Sequence, residues 1–107
     1  MSELKVLVEP MVMDISSQAL HLDDLRLRLF LNWLMAHSGK MKAVIQPNVA
    51  EFQTSDMEEQ FKLALRTWLE PMPVQGMLWE YRLILDEIAW WRDLDPGRLC
   101  MMADEMQ

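Results

Sequence analysis

The sequence predicts a mostly α-helical fold, a small bundle of about four helices, with an extended or β-like arm at its N-terminal end. Two observations predict the helices: long stretches rich in Leu, Arg and Trp run without proline or glycine, and helix-start signals stand at Ser55 and at Asp95-Pro96. A third observation, the alternation of the first fifteen residues, predicts the arm. The 107 residues suit one domain, 1–107, because independent domains usually span roughly 100–200 residues. With 51% hydrophobic and 25% charged residues, the composition is globular rather than disordered.

Leu4, Val6 and Val8 alternate with polar residues, and Met11, Met13 and Ile15 alternate again after Pro10, which reads as an arm that pairs with the β-like run at 42–46. From 18 to 37 the leucines at 25, 27, 29 and 31 also alternate. Twenty residues without Pro or Gly, stopped by Ser38-Gly39, nevertheless favour a helix, with Ser17 or Asp23 as its cap. Ser55 and Glu58 have capping-box spacing, so a second helix runs over 56–69 and stops before Pro71. The Pro71-Met72-Pro73-Val74-Gln75-Gly76 stretch breaks the chain, and a third helix follows over 77–93. Asp95 as cap and Pro96 at the first helical position open the last helix, 96–105.

The net charge of −7 lies wholly in the second half. Residues 1–50 balance five acidic with five basic groups, whereas residues 51–107 set twelve acidic groups against Lys62, Arg66, Arg82, Arg92 and Arg98. Direct binding to nucleic acid or to anionic membranes depends on Lys and Arg, so this balance disfavours both and favours a basic partner. The single cysteine, Cys100, excludes an internal disulfide framework and multi-cysteine metal sites; its default reading is a small buried hydrophobe. The first residues lack the pattern of a secretory signal, and Arg26, Arg28 and Asn32 interrupt the richest apolar stretch, so the expectation is a cytoplasmic chain that does not span a membrane.

On a wheel of about 100° per residue, the third helix has two apolar groups. Leu78, Tyr81, Ile84, Leu85, Ile88, Ala89 and Trp91 form a wide arc, the expected core face. Trp79, Leu83 and Trp90 form a narrow ridge roughly opposite, flanked by Glu80 and Glu87 on one side and by Asp86 and Asp93 on the other. The 18–37 helix is also apolar on two sides, with Leu22, Leu25, Leu29, Trp33 and Ala36 against Leu20, Leu27, Phe30, Leu31 and Leu34. Two such helices in so small a domain point to an oligomer or a partner chain.

No catalytic, cofactor or metal motif emerges. His21 and Asp24 have i, i+3 spacing but no further histidine beside them, and both histidines read as solvated. The adjacent acidic pairs diverge on a helix, and the three glycines are isolated. The expectation is therefore not an enzyme and has no cofactor. It is a small acidic protein-binding protein, an adaptor, an assembly or secretion chaperone, or an inhibitor of a larger machine, working as a homo- or hetero-oligomer. Its partner would carry a basic or amphipathic segment. The expected partner-binding residues are Trp79, Leu83, Asp86, Glu87, Trp90, Met101 and Met102, with the aromatics and thioethers as contact area and the carboxylates steering association. Two alternatives stand beside it: an acidic mimic of nucleic acid that blocks a DNA- or RNA-binding protein, and a structural subunit of a permanent complex.

Overall fold

The computed structural model describes residues 2–39 and 57–105, which form five helices: α1 (Ser2–Leu20), α2 (Asp24–His37), α3 (Met57–Leu69), α4 (Val74–Asp93) and α5 (Pro96–Glu105). There is no strand among the described residues, so the expected N-terminal arm is corrected to a helix. The β-like run at 42–46 and the capping residue Ser55 lie outside the described residues.

The arm is a helix because its buried residues keep helical time. Val8, Met11, Val12, Ile15 and Ala19 are all buried, at spacings of i, i+3, i+4, i+7 and i+11. The alternation at Leu4, Val6 and Val8 and again at Met11, Met13 and Ile15 runs into this stripe, and Met13, which falls off it, is exposed. Pro10 sits inside the helix on its exposed side. It forfeits one backbone hydrogen bond there, and tertiary packing of the stripe outweighs that loss.

The expected 18–37 helix is two helices. The chain leaves α1 through tight turns, with the Leu22 N–H donating to the Ala19 carbonyl at 3.0 Å, and restarts at Asp23, whose carboxylate accepts the Arg26 N–H at 2.9 Å. That is an N-cap bond, and it selects Asp23 over Ser17. At the other end α2 stops at Ser38 in an extended conformation, its N–H donating to the Leu34 carbonyl at 2.9 Å. No described glycine has positive φ, so the expected glycine stop is not used.

Helices α3 and α5 match the expected 56–69 and 96–105 closely, and the Asp95 carboxylate accepts the Arg98 N–H at 3.2 Å as the cap of α5. Helix α4 starts three residues earlier than expected, with Pro73 as its N-cap. Gly76 falls in the first turn, where N–H groups lack helical partners in any case, and therefore does not break the helix.

Helix α1 packs against α3 and α4, and α2 packs against α4 and α5, so α4 touches both halves of the bundle. All five helices bury residues in the protein's hydrophobic core, with Ile15, Phe30, Leu34, Leu65 and Ile84 fully enclosed. Polar side chains fix the register at the edges. Arg66 grips both oxygens of Glu9, at 2.5 and 3.1 Å, tying α3 to α1. Tyr81 of α4 donates its hydroxyl to Asp14 of α1 at 2.5 Å, and Gln18 donates to the other oxygen at 2.9 Å. Among the described residues, no helix is long and apolar enough to cross a membrane.

Candidate functional site

The inner face of α4 is close to the expected arc. Ile84, Ile88 and Trp91 are buried, with Met77, which falls in the same sector, and Tyr81 and Leu85 pack at its margin. Leu78, expected on that face, is exposed instead. On the opposite side, Trp79 is 69% exposed and Trp90 47% exposed. Eleven residues separate them, about 16 Å along the axis at about 1.5 Å per residue. Leu83, between them, is half-buried.

Two adjacent carboxylates expected to act together lie in different surroundings. Asp86 is exposed on the outer side. Glu87 is drawn toward the α2 side of α4, where burial pushes its carboxyl above the ordinary range, partly opposed by the indole of Trp91 and the nearby His37. Glu80, one step of seven earlier on the same edge, is 2.7 Å from His37 of α2. The Glu80 and Glu87 flank of the ridge therefore faces a helix–helix seam, and only the Asp86 and Asp93 flank is open to water.

Each exposed tryptophan borders its own groove. Among the described residues, Trp79 lines the first together with Gln75, Leu78, Tyr81 and Arg82. The second, an open groove of about 240 Å³ between α4 and α5, is lined by Trp90, Leu94, Arg98, Met101 and Met102. The fold thus brings Trp90, Met101 and Met102 together and leaves Trp79 apart. Met101 is 66% exposed, whereas Met102 packs partly on the core. The ring of Trp90 meets buried Trp91 edge to face, with centroids 4.8 Å apart and planes at 86°, so a core residue props up an exposed one. Asp86, Asp93 and Asp95 lie along the adjoining surface with Trp90 and Arg98.

Several features escaped the sequence. His37 is not a free solvated side chain: it stacks on Trp33 with centroids 5.0 Å apart, meets the edge of Trp68 and bonds Glu80. The i, i+4 spacing of Trp33 and His37 signals their contact, but the partners on α3 and α4 are long-range. Arg26 donates to the Trp91 carbonyl at 2.8 Å and the Leu94 carbonyl at 2.7 Å, and pairs with Asp23. It holds the C-terminal end of α4, where its guanidinium adds a second donor to the Trp91 carbonyl, which also accepts the Leu94 N–H at 3.3 Å, and meets the negative end of the helix dipole. Cys100 is exposed, contrary to its expected burial. Among the described residues, no three of His, Cys, Asp and Glu gather as a metal site.

No protein-family model, curated protein or solved structure matches this chain.

Proposed function

We propose that this is a protein-binding protein, an adaptor, assembly or secretion chaperone, or inhibitor of a larger machine, acting in the cytoplasm through the outer face of α4 and the neighbouring part of α5. One observation carries the reading: Trp79 and Trp90 are both exposed on a helix whose opposite side supplies Ile84, Ile88 and Trp91 to the core. Large aromatic side chains on a folded surface are the residues from which interfaces draw most of their energy. Leu83, Met101 and Met102 add apolar area that adapts to a partner's shape. Asp86 supplies long-range attraction for a basic partner; Glu87, half-buried on the edge that His37 of α2 also faces, serves mainly the seam.

The test is capture of partners from the native cell by the tagged full chain and by a Trp79→Ala/Trp90→Ala variant that melts like the parent. The reading expects a protein retained by the parent at moderate salt and lost by the variant. An identical set of captured proteins from both chains would defeat it. The same surface implies association, so the complex should sediment above the 12.7 kDa of one chain.

A further inference from the structure

We infer that the groove between α4 and α5 is the seat of a Lys/Arg-bearing amphipathic helix of a different protein; this rests on the protein-binding reading and narrows it to one of the two tryptophans. The groove joins an indole to two thioethers, Trp90 with Met101 and Met102. Such a lining is deformable and apolar, and accepts large side chains projected at i, i+3, i+4 and i+7 from one face of a helix. The surface running on from Trp90 holds three carboxylates, Asp86, Asp93 and Asp95, against the guanidinium of Arg98 on it and that of Arg92 beside it. Asp93 lies 3.2 Å from Arg92 in an exposed pair, whereas no cation pairs with Asp86 among the described residues. Exposed pairs of that kind are weak, so Asp93 is available to an incoming cation.

Charge distinguishes this occupant from the others. An anionic membrane would be repelled by the same three carboxylates. A second copy docking on this face would set its own acidic surface against an acidic surface. The groove at Trp79 offers Arg82 and no carboxylate among its described lining residues, which makes it the poorer seat for a basic segment. A helix bearing apolar residues on one face and lysine or arginine on its flanks satisfies both the groove and its rim.

The probes are synthetic fluorescent peptides of about 15 residues, long enough to form a helix on a surface. One has leucine at helical spacing with lysine elsewhere, one replaces every lysine by glutamate, and one has the Leu/Lys composition in scrambled order. Anisotropy titrations with the full chain should show the patterned Leu/Lys peptide binding about tenfold or more tighter than either control. Trp90→Ala should weaken that peptide about tenfold and Trp79→Ala about twofold or less. The triple change Asp86→Asn/Asp93→Asn/Asp95→Asn should weaken it and flatten its salt dependence, while asparagine, as good a cap as aspartate, keeps the start of α5 in place. No binding, equal binding of the Glu peptide, or equal effects of the two tryptophan changes overturns the inference. If the peptide fails while the native partner is still lost on Trp79→Ala alone, this inference falls and the protein-binding reading stands. Self-association abolished by Trp90→Ala and untouched by the peptide also overturns it, in favour of a second copy.

Discussion

Helices α2 and α4 carry the same kind of pattern, apolar residues on two sides with narrow polar strips between, and the bundle treats them differently. In α2, Leu27, Phe30, Leu31 and Leu34 of one side and Leu29 of the other are buried, Leu25 and Trp33 pack partly buried against the core, Ala36 alone of the two apolar groups is exposed, and the helix packs on α4 and α5. In α4 one side is buried and the other leaves two indoles in water. A two-sided apolar helix therefore signals a missing partner only when its neighbours in the same chain leave a side uncovered. The pattern alone supports two incomplete helices. The packing leaves one, and concentrates the case for a partner on α4.

The comparison breaks most sharply on stability. Phe30→Ala on α2 should cost about 3–5 kcal/mol and Ile88→Ala on the inner side of α4 about 2–5 kcal/mol, because each empties a fully enclosed site. Trp90→Ala should cost far less than either, since nearly half of its surface is already wet. Urea denaturation of the three variants tests the ranking. A Trp90→Ala loss equal to that of Ile88→Ala would mean that the outer side of α4 is structural.

A smaller effect tests how the two helices are joined. Arg26→Ala removes hydrogen bonds from a charged donor to the Trp91 and Leu94 carbonyls and should cost about 2 kcal/mol. Arg26→Lys should recover only part of this, because an ammonium does not reproduce the guanidinium fork. Full recovery in thermal denaturation would show that charge at the α4 terminus is all that matters.

What the sequence revealed and concealed follows the same division between local and long-range causes. Helices α3 and α5 were legible because their stops and caps are local, Pro71 for one and Asp95-Pro96 for the other. Helix α1 reads as an arm because Leu4, Val6 and Val8, and then Met11, Met13 and Ile15, alternate, although Val8, Met11, Val12, Ile15 and Ala19 carry the helical stripe in the same residues. Exposure of Trp79 and Trp90 was legible from the wheel, since a single core face excludes the opposite sector. The different surroundings of Asp86 and Glu87 were not, because they depend on where α2 crosses α4 and brings His37 to that edge.

The tie between α1 and the inner side of α4 predicts a pH dependence. Hydrogen bonds from Tyr81 and Gln18 hold the Asp14 carboxyl below its ordinary value, and the Asp14 bond pushes the Tyr81 hydroxyl up to about 12. For Asp14 the folded state binds its proton less readily than the unfolded state, so its contribution is present above about pH 4 and is lost as pH falls through the lowered value. For Tyr81 the folded value is the higher one, so its contribution is present below about pH 10 and is lost as pH rises toward 12. Tyr81→Phe should therefore cost about 1–2 kcal/mol between those limits, and the gap from the parent should narrow on both sides. A gap that stays constant from about pH 3 to about pH 11 would show that the Asp14 bond does not control this seam.

The smallest predicted effect separates the two sides of α4 at adjacent residues. Glu87 is a carboxylate pressed toward α2, and burial raises its pKa, so keeping it ionised opposes folding at neutral pH. That penalty exists above the raised folded value and vanishes below the unfolded value, where the group is protonated in both states. Glu87→Gln should hence raise stability at about pH 7, by no more than about 0.5 kcal/mol, with the gain fading toward about pH 4. Asp86 is exposed, so Asp86→Asn should leave the denaturation midpoint unchanged while slowing association with a basic partner at low salt. Paired urea titrations at those two pH values, with stopped-flow association at low and high salt, read both quantities. If Glu87→Gln alters only association and Asp86→Asn only stability, the seam and the open surface have been assigned to the wrong edges of α4, and α2 must cover the side on which the partner was expected to dock.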